Sequence, residues 1–310
     1  FLALGSYHLN VLMDAEGAMT YLAEGLRRSP NHVGILNAEA NASRSAGRWE
    51  EAVSLGRRVV SLDPKSRSTG LAIALILMRR YPEALEEVDR VLVQHPTLIP
   101  MWQSKAVIYL AQGDLDRARE VLAEATRVTE PITVAAHMAL TWDTYWALSE
   151  EAQELVLRLP VQAFGTDDAG RATISAALYY LNGDLLRSRA NGDSAVRIYQ
   201  RLLTDIPDDN YLLALSGVAL AYAGRFDEAI RAGERSVALL PIARDAYSGP
   251  YNAHQLARIY TLAGKPEQAI DVLETLLAVP YFISPGWLRV DPTWDALRSN
   301  PRFQKLAAGP

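Results

Sequence analysis

The chain has 310 residues, 49% hydrophobic and 22% charged, which is the balance of a folded protein and not of a disordered one. Its 31 Lys+Arg against 36 Asp+Glu leave a net charge of −5, which argues against the basic face that nucleic-acid binding requires. There is no cysteine, so disulfides, thiolate catalysis and cysteine-held zinc are excluded, and the longest apolar run, Leu71 to Met78, is far short of the roughly 20 residues that cross a bilayer.

Taken in chain order, the sequence predicts one helical hairpin after another. The first runs from Ser6 through Ala18 to Pro30. The second carries Ala40, the turn Gly47-Arg48-Trp49, Ala52 and Pro64. The third has Ala72, Tyr81, Ala84 and Pro96. The fourth has Ala106, Gly113-Asp114-Leu115, Ala118 and, one place late, Pro131. The fifth, around Ala152, departs most: Leu140 holds the small-residue place, Ala139 comes one position early, and the turn glycine is missing. An insertion, Val161 to Thr173, follows and reads as a bend or long loop. The sixth runs from Gly183 through Ala195 to Pro207, and the seventh from Gly217 through Gly224-Arg225-Phe226 and Ala229 to Pro241. The eighth has Ala257, Gly264-Lys265-Pro266 and Ala269.

The spacing carries the argument. The recurring alanines stand 34, 32, 34, 34, 43, 34 and 40 residues apart, a 34-residue period with two insertions. A small residue stands twelve positions before seven of the eight, where two antiparallel helices must cross closely. Glycine suits the left-handed residue that ends the first helix, and proline ends the second. A lone hairpin cannot bury its apolar face, so stacked neighbours must share one core. One elongated domain therefore replaces the two that length alone suggests. The expected divisions are 1–160 for units one to five, 161–175 for the insertion, 176–280 for units six to eight and 281–310 for a cap.

Trp102, Ala106, Tyr109, Gly113, Ala118, Leu122 and Ala125 together resemble the tetratricopeptide repeat, and the resemblance covers residues 1 to about 280. It implies an all-α, right-handed superhelix whose first helices line a concave groove for a protein or extended peptide. The tail, from Ile283-Ser284-Pro285-Gly286-Trp287 to Arg302-Phe303, looks like the closing segment of arrays in bacterial receptor-like serine/threonine kinases, adenylate cyclases and winged-helix regulators. Trp294, Leu297 and Phe303 are expected to cover the end of the last hairpin. Phe1 is not an initiator methionine and the chain opens inside a helical pattern, so the expectation is a piece of a longer protein. One reading is a binding scaffold. The other is the regulatory or sensory end of a bacterial kinase or similar signalling protein whose catalytic part lies upstream.

Counting from the repeat register gives the groove candidates. They are Asn37, Asn41 and Arg44 in unit two; His137, Thr141 and Tyr145 in unit five; Tyr180, Asp184 and Arg187 in unit six; and His254, Arg258 and Thr261 in unit eight. Tyr7, Gln103 and Tyr222 fall on the same surface. Amides, arginine and tyrosine suit an extended peptide. Relatives that clamp a terminal carboxylate use Lys and Asn on adjacent first helices. Here Asn41 has Asn37 where the lysine is needed and the next helix offers Ser66 and Gly70, so that clamp is not expected.

No chemistry is legible. Of His8, His32, His95, His137 and His254, no two stand four apart, so no helical metal pair exists. Asp167-Asp168 and Asp208-Asp209-Asn210 read as helix starts. There is no phosphate loop and no nucleophile elbow. The expectation is a non-enzyme without cofactor or metal. Its compartment, cytoplasmic or extracytoplasmic, and its self-association stay open.

Overall fold

The computed structural model describes residues 1–165 and 167–309; Thr166, inside the expected insertion, and Pro310 lie outside them. Among the described residues there is no strand. Eight hairpins follow one another: α1 (Leu2–Asn10) with α2 (Ala15–Arg28), α3 (Val33–Ser45) with α4 (Trp49–Leu62), α5 (Gly70–Leu77) with α6 (Tyr81–Gln94), and α7 (Ile99–Gln112) with α8 (Leu115–Val128). Then come α9 (Pro131–Leu140) with α10 (Glu150–Arg158), α11 (Asp168–Leu181) with α12 (Leu185–Asp205), α13 (Asn210–Tyr222) with α14 (Phe226–Leu239), and α15 (Gly249–Leu262) with α16 (Pro266–Ala278). Each second helix packs on the next first helix. The first helices also touch in succession from α1 to α15. No helix among the described residues is long and apolar enough to cross a membrane.

The hairpins nest where the small residues predict. Ala18, Ala84, Ala118, Ala229 and Ala269 are fully buried. A Cβ on Gly217 would stand 2.7 Å from Ile259 Cδ1 and 3.1 Å from the Ala229 carbonyl oxygen, so only glycine permits that crossing. The turns at Gly47, Gly113, Gly224 and Gly264 take φ of +74°, +84°, +80° and +67°, the left-handed helix end that an L side chain resists.

Unit six corrects the sequence register. Gly183, counted as the small crossing residue, is the turn itself, with φ +76°. The expected loop is partly helix, since α11 begins at Asp168, capped by the Asp167 carboxylate accepting from the Gly170 amide at 2.7 Å. The surplus residues sit in α12, which has 21 residues where most second helices have 14. Ser188, 1% exposed, occupies the hairpin place given to Ala195, and Ala176, fully buried, stands twelve residues before it. Two extra helical turns satisfy their own backbone hydrogen bonds, as an unstructured loop of that length would not. Gly192 lets this longer helix pass the end of α13, since a Cβ there would be 2.8 Å from the Ala223 nitrogen.

The tail does more than cover an end. A 3₁₀ turn, Pro292–Leu297, buries Trp294 completely against α15. Helix α18 (Pro301–Ala308) lies on α16, where Arg302 donates to Glu267 and Asp271, each at 2.7 Å. The short helix α17 (Pro285–Val290) instead crosses to α7 in unit four. There the Ser284 hydroxyl donates to the Ala111 carbonyl at 2.5 Å, and Trp287 meets Trp146 edge-on at 5.5 Å. The stack therefore closes on itself.

A second contact closes it from the other side. Arg258 on α15 donates to the Asp143 carboxylate at 2.5 Å and to the Tyr145 hydroxyl at 2.9 Å. Gln255 donates to the other Asp143 oxygen at 2.8 Å. The two charged side chains are 3% and 12% exposed. Burial acts to raise the Asp143 pKa, but Arg258, His254 and the Gln255 hydrogen bond outweigh it and hold the carboxyl below its ordinary value. His254 lies inside the same core, 3.2 Å from the Tyr281 hydroxyl, and burial pushes its pKa down to about 3.

Three outcomes follow from this closure. In Gly286→Ala the new methyl would sit 2.3 Å from the Ala111 carbonyl oxygen. The variant should lose about 1–3 kcal/mol of stability in denaturant titration, as overpacked cores do. Asp143→Ala leaves a buried guanidinium unpaired and should lose about 3–5 kcal/mol in the same measurement. His254 is neutral in the fold and titrates near 6.5 when unfolded. Its contribution is therefore intact above pH 6.5 and falls as pH drops towards 3. A His254→Phe variant should show a shallower loss of stability between pH 6.5 and 4, by up to about 1.4 kcal/mol per pH unit. Asp291, which burial pushes up to about 6, titrates in both proteins and cancels in the comparison.

Candidate functional site

Closure leaves a cavity of about 330 Å³ at the centre of the molecule. Its wall comes from distant parts of the chain: Met13 from the first turn, Leu77 from α5, Leu140 to Trp142 after α9, Asp209 to Tyr211 at the start of α13, Tyr247 to Asn252 around the start of α15, and Tyr281 and Phe282 from the tail. Six aromatic rings face it. Trp142 stacks on Phe282 with centroids 5.4 Å apart and planes at 14°, and Tyr211 stacks on Tyr251 at 5.7 Å and 25°.

Three of its polar side chains, Asp209, Asn210 and Asn252, are hydrogen-bonded within the wall. Asp209 caps α13 by accepting from the Leu212 amide at 2.8 Å, which bears out the helix-start reading of 208–210. Asn252 donates to Asn210 Oδ1 at 2.9 Å. The cavity's edge towards the first hairpins is sealed where the Ala246 amide donates to the Ser45 carbonyl at 2.8 Å. There the Arg44 guanidinium lies 4.7 Å from the Tyr247 ring centroid. Among the described residues no cluster of His, Asp and Glu could hold a metal ion.

The sequence candidates divide sharply. Gln103, Tyr145, Tyr222, His254 and Arg258 are 1–6% exposed, and Arg44 and Thr261 are 7% exposed. They are inside the closed array, not on an open groove. Gln103 donates to the Thr141 carbonyl at 2.8 Å, and His137, half-buried, lies 3.1 Å from the Gln103 side-chain oxygen. Burial lowers the His137 pKa. Asp184 and Arg187 are not on a first helix. Asp184 caps α12 by accepting from the Arg187 amide at 3.0 Å, and the two side chains pair at 3.3 Å. The misplaced unit-six register put them in the groove. Tyr7 and Tyr180 stay exposed at 50% and 41%. Tyr180 leans on Tyr222, with centroids 5.6 Å apart. Asn41 is exposed, and Asn37 accepts from the Ser68 hydroxyl at 2.9 Å. Only Thr141 of the candidates lines the cavity.

Sequence reasoning missed the aromatic wall. One signal was present: Tyr211 and Tyr251 each stand eighteen residues ahead of a repeat alanine, Ala229 and Ala269. Rings at one register position of adjacent repeats mark a shared surface, since equivalent positions stack. Trp142 and Phe282 carried no such signal, because their meeting depends on closure.

Two profiles described as tetratricopeptide repeat match this chain, one over residues 69–129, 104–140 and 180–246, the other over 253–281. No curated protein matches it. Among solved structures it is similar to a tetratricopeptide repeat protein from Parabacteroides merdae, with 15% identity, 98% of each chain covered and a TM-score of 0.38. It is also similar to the APC/C hetero-tetramer Cut9-Hcn1, with 14% identity over 94% of this chain and 58% of that one and a TM-score of 0.48. Yeast Tom70 follows with 15% identity over 96% and 62% and a TM-score of 0.46, so this chain spans about three fifths of the length of either of these two. The two profiles together span more than half of the sequence, and the chain belongs to the tetratricopeptide-repeat proteins.

Proposed function

We propose that the chain is a protein-binding scaffold whose partner inserts a peptide segment into the central aromatic cavity. The fold is that of repeat proteins whose inner surfaces serve as binding sites. The observation that carries the reading is the cavity itself. Its ~330 Å³ lies at the lower end of the usual ~300–1,000 Å³ of ligand pockets, room for one or two side chains. Stacked rings supply area at little entropic cost and are the residue types that dominate binding hot spots. Tyr211 is 49% exposed, so its ring is presented rather than sealed in. The chain's own tail covers part of the inner surface, at α7 and α15.

No acid, base and nucleophile converge in the cavity, so a binding role fits it better than a catalytic one. A random peptide library panned on the purified chain tests the reading. Selected peptides should quench or shift the tryptophan fluorescence, and Trp142→Phe should remove most of that change. Tyr211→Ala should weaken them by about tenfold or more with an unchanged circular dichroism spectrum. Peptides that bind Tyr211→Ala as well as the parent, and lose affinity instead with Tyr7→Ala or Asn41→Ala, would move the site out of the cavity.

A further inference from the structure

We propose that the central cavity selects an organic cation, the guanidinium or alkylammonium head of an arginine or lysine side chain carried on a peptide. The proposal rests on the peptide-binding reading above and specifies what that peptide must present. Three observations carry it. The first is the aromatic wall: Trp142, Tyr211, Tyr247, Tyr251, Tyr281 and Phe282 line the space, and aromatic rings attract cations, as Tyr247 already does with the Arg44 guanidinium 4.7 Å from its centroid.

The second is charge. Among the described residues that line the cavity, Asp209 is the one acidic side chain and none is Lys, Arg or His. One Asp209 oxygen serves the helix cap, and among the described residues the other accepts no hydrogen bond. The nearby arginines are spoken for. Arg258 is bonded to Asp143 and Tyr145, and Arg44 lies against Tyr247 beside the Asp245 carboxylate. The Tyr211 phenol senses the same field. Burial first, then the carboxylates of Asp143 and Asp167, raise its pKa above the ordinary value; the Tyr251 hydroxyl opposes them, and Asp209 adds the least.

The third is the commitment of the wall's amides: Asn210 and Asn252 bond each other and Asn252 is 1% exposed. The hydroxyls of Thr141, Tyr247 and Ser248 stand beside the rings, and the wall's one charged group is the Asp209 carboxylate, which favours a cation over a neutral ligand. A guanidinium or ammonium brings its own donors for that carboxylate and leaves its methylene stem to the rings.

The test uses the full chain and four small probes, acetyl-arginine methylamide, acetyl-lysine methylamide, and the neutral acetyl-citrulline and acetyl-norleucine methylamides. They are titrated by calorimetry and by tryptophan fluorescence. The two cations should bind at least about fivefold tighter than either neutral probe, with the difference shrinking as salt is raised. Asp209→Asn keeps an N-capping side chain and should erase most of that preference, whereas Tyr211→Ala should weaken every probe. Equal binding of citrulline or norleucine, an undiminished preference in Asp209→Asn, or no binding of either cation overturns the proposal. Neutral probes or library peptides that still depend on Tyr211 would leave the peptide-binding reading standing while this one falls. Loss of Tyr211 dependence for all ligands would remove both.

Discussion

A buried carboxylate meeting a buried guanidinium, Asp143 on Arg258 across 115 residues of sequence, is the contact on which the interior depends. Stacked hairpins by themselves touch only their neighbours and make an open spiral. This pair ties the fifth hairpin to the eighth. Taking both charges out of water works against folding, and their attraction offsets that only when every remaining polar atom finds a partner. Gln255 and Tyr145 provide partners for the carboxylate and the terminal guanidinium nitrogens, but the buried Arg258 Nε has none among the described residues, so the pair fixes which surfaces meet more than it adds net stability. Around it, His254, Tyr281, Phe282 and Trp294 form a packed aromatic group that keeps solvent away.

The tail completes the same circuit. By crossing from α16 to α7 it puts Tyr281 and Phe282 opposite Trp142 and adds a wall to a concave surface that stays open at Tyr211. The cavity therefore has no wall that a single repeat supplies. Anything that fills it and does not bind the opened array stabilises the closed form by linkage, so binding and closure reinforce each other.

What the sequence made legible follows from this division. The hairpins were readable because small residues at crossings and glycines at turns are local demands, repeated at one period. Gly217 and Ala229 announce themselves wherever they sit. Unit six went astray because Gly183 met two templates at once, and its turn role was the true one. Ser188, polar yet buried, hid the real register. The groove candidates were placed on first helices correctly in units one, two, four, seven and eight. Whether those helices face solvent depends on contacts between hairpins far apart in the chain, which no period encodes. Arg258 looked like a ligand-binding arginine because the signature of a buried internal pair, a polar residue on an inner face, is the same.

The departures from the repeat carry the remaining information. Ordinary turns here place glycine in the left-handed region, yet four other residues adopt it: Met13, Arg79, Trp142 and Asp143, with φ between 51° and 59°. That conformation is unfavourable by about 1–2 kcal/mol for a side chain with a Cβ. At each of the four the side chain makes a contact beyond its own turn, although Met13 is still 37% exposed. Arg79 donates to the Ile283 carbonyl at 3.0 Å and so holds the tail, Asp143 receives Arg258, and Trp142 and Met13 line the cavity. A glycine would relax the backbone and forfeit the contact. The strain thus sits where hairpin turns were converted from punctuation into the attachments that close the array, and the same exchange of glycine for a functional side chain is a signal to seek in other repeat sequences whose ends must meet.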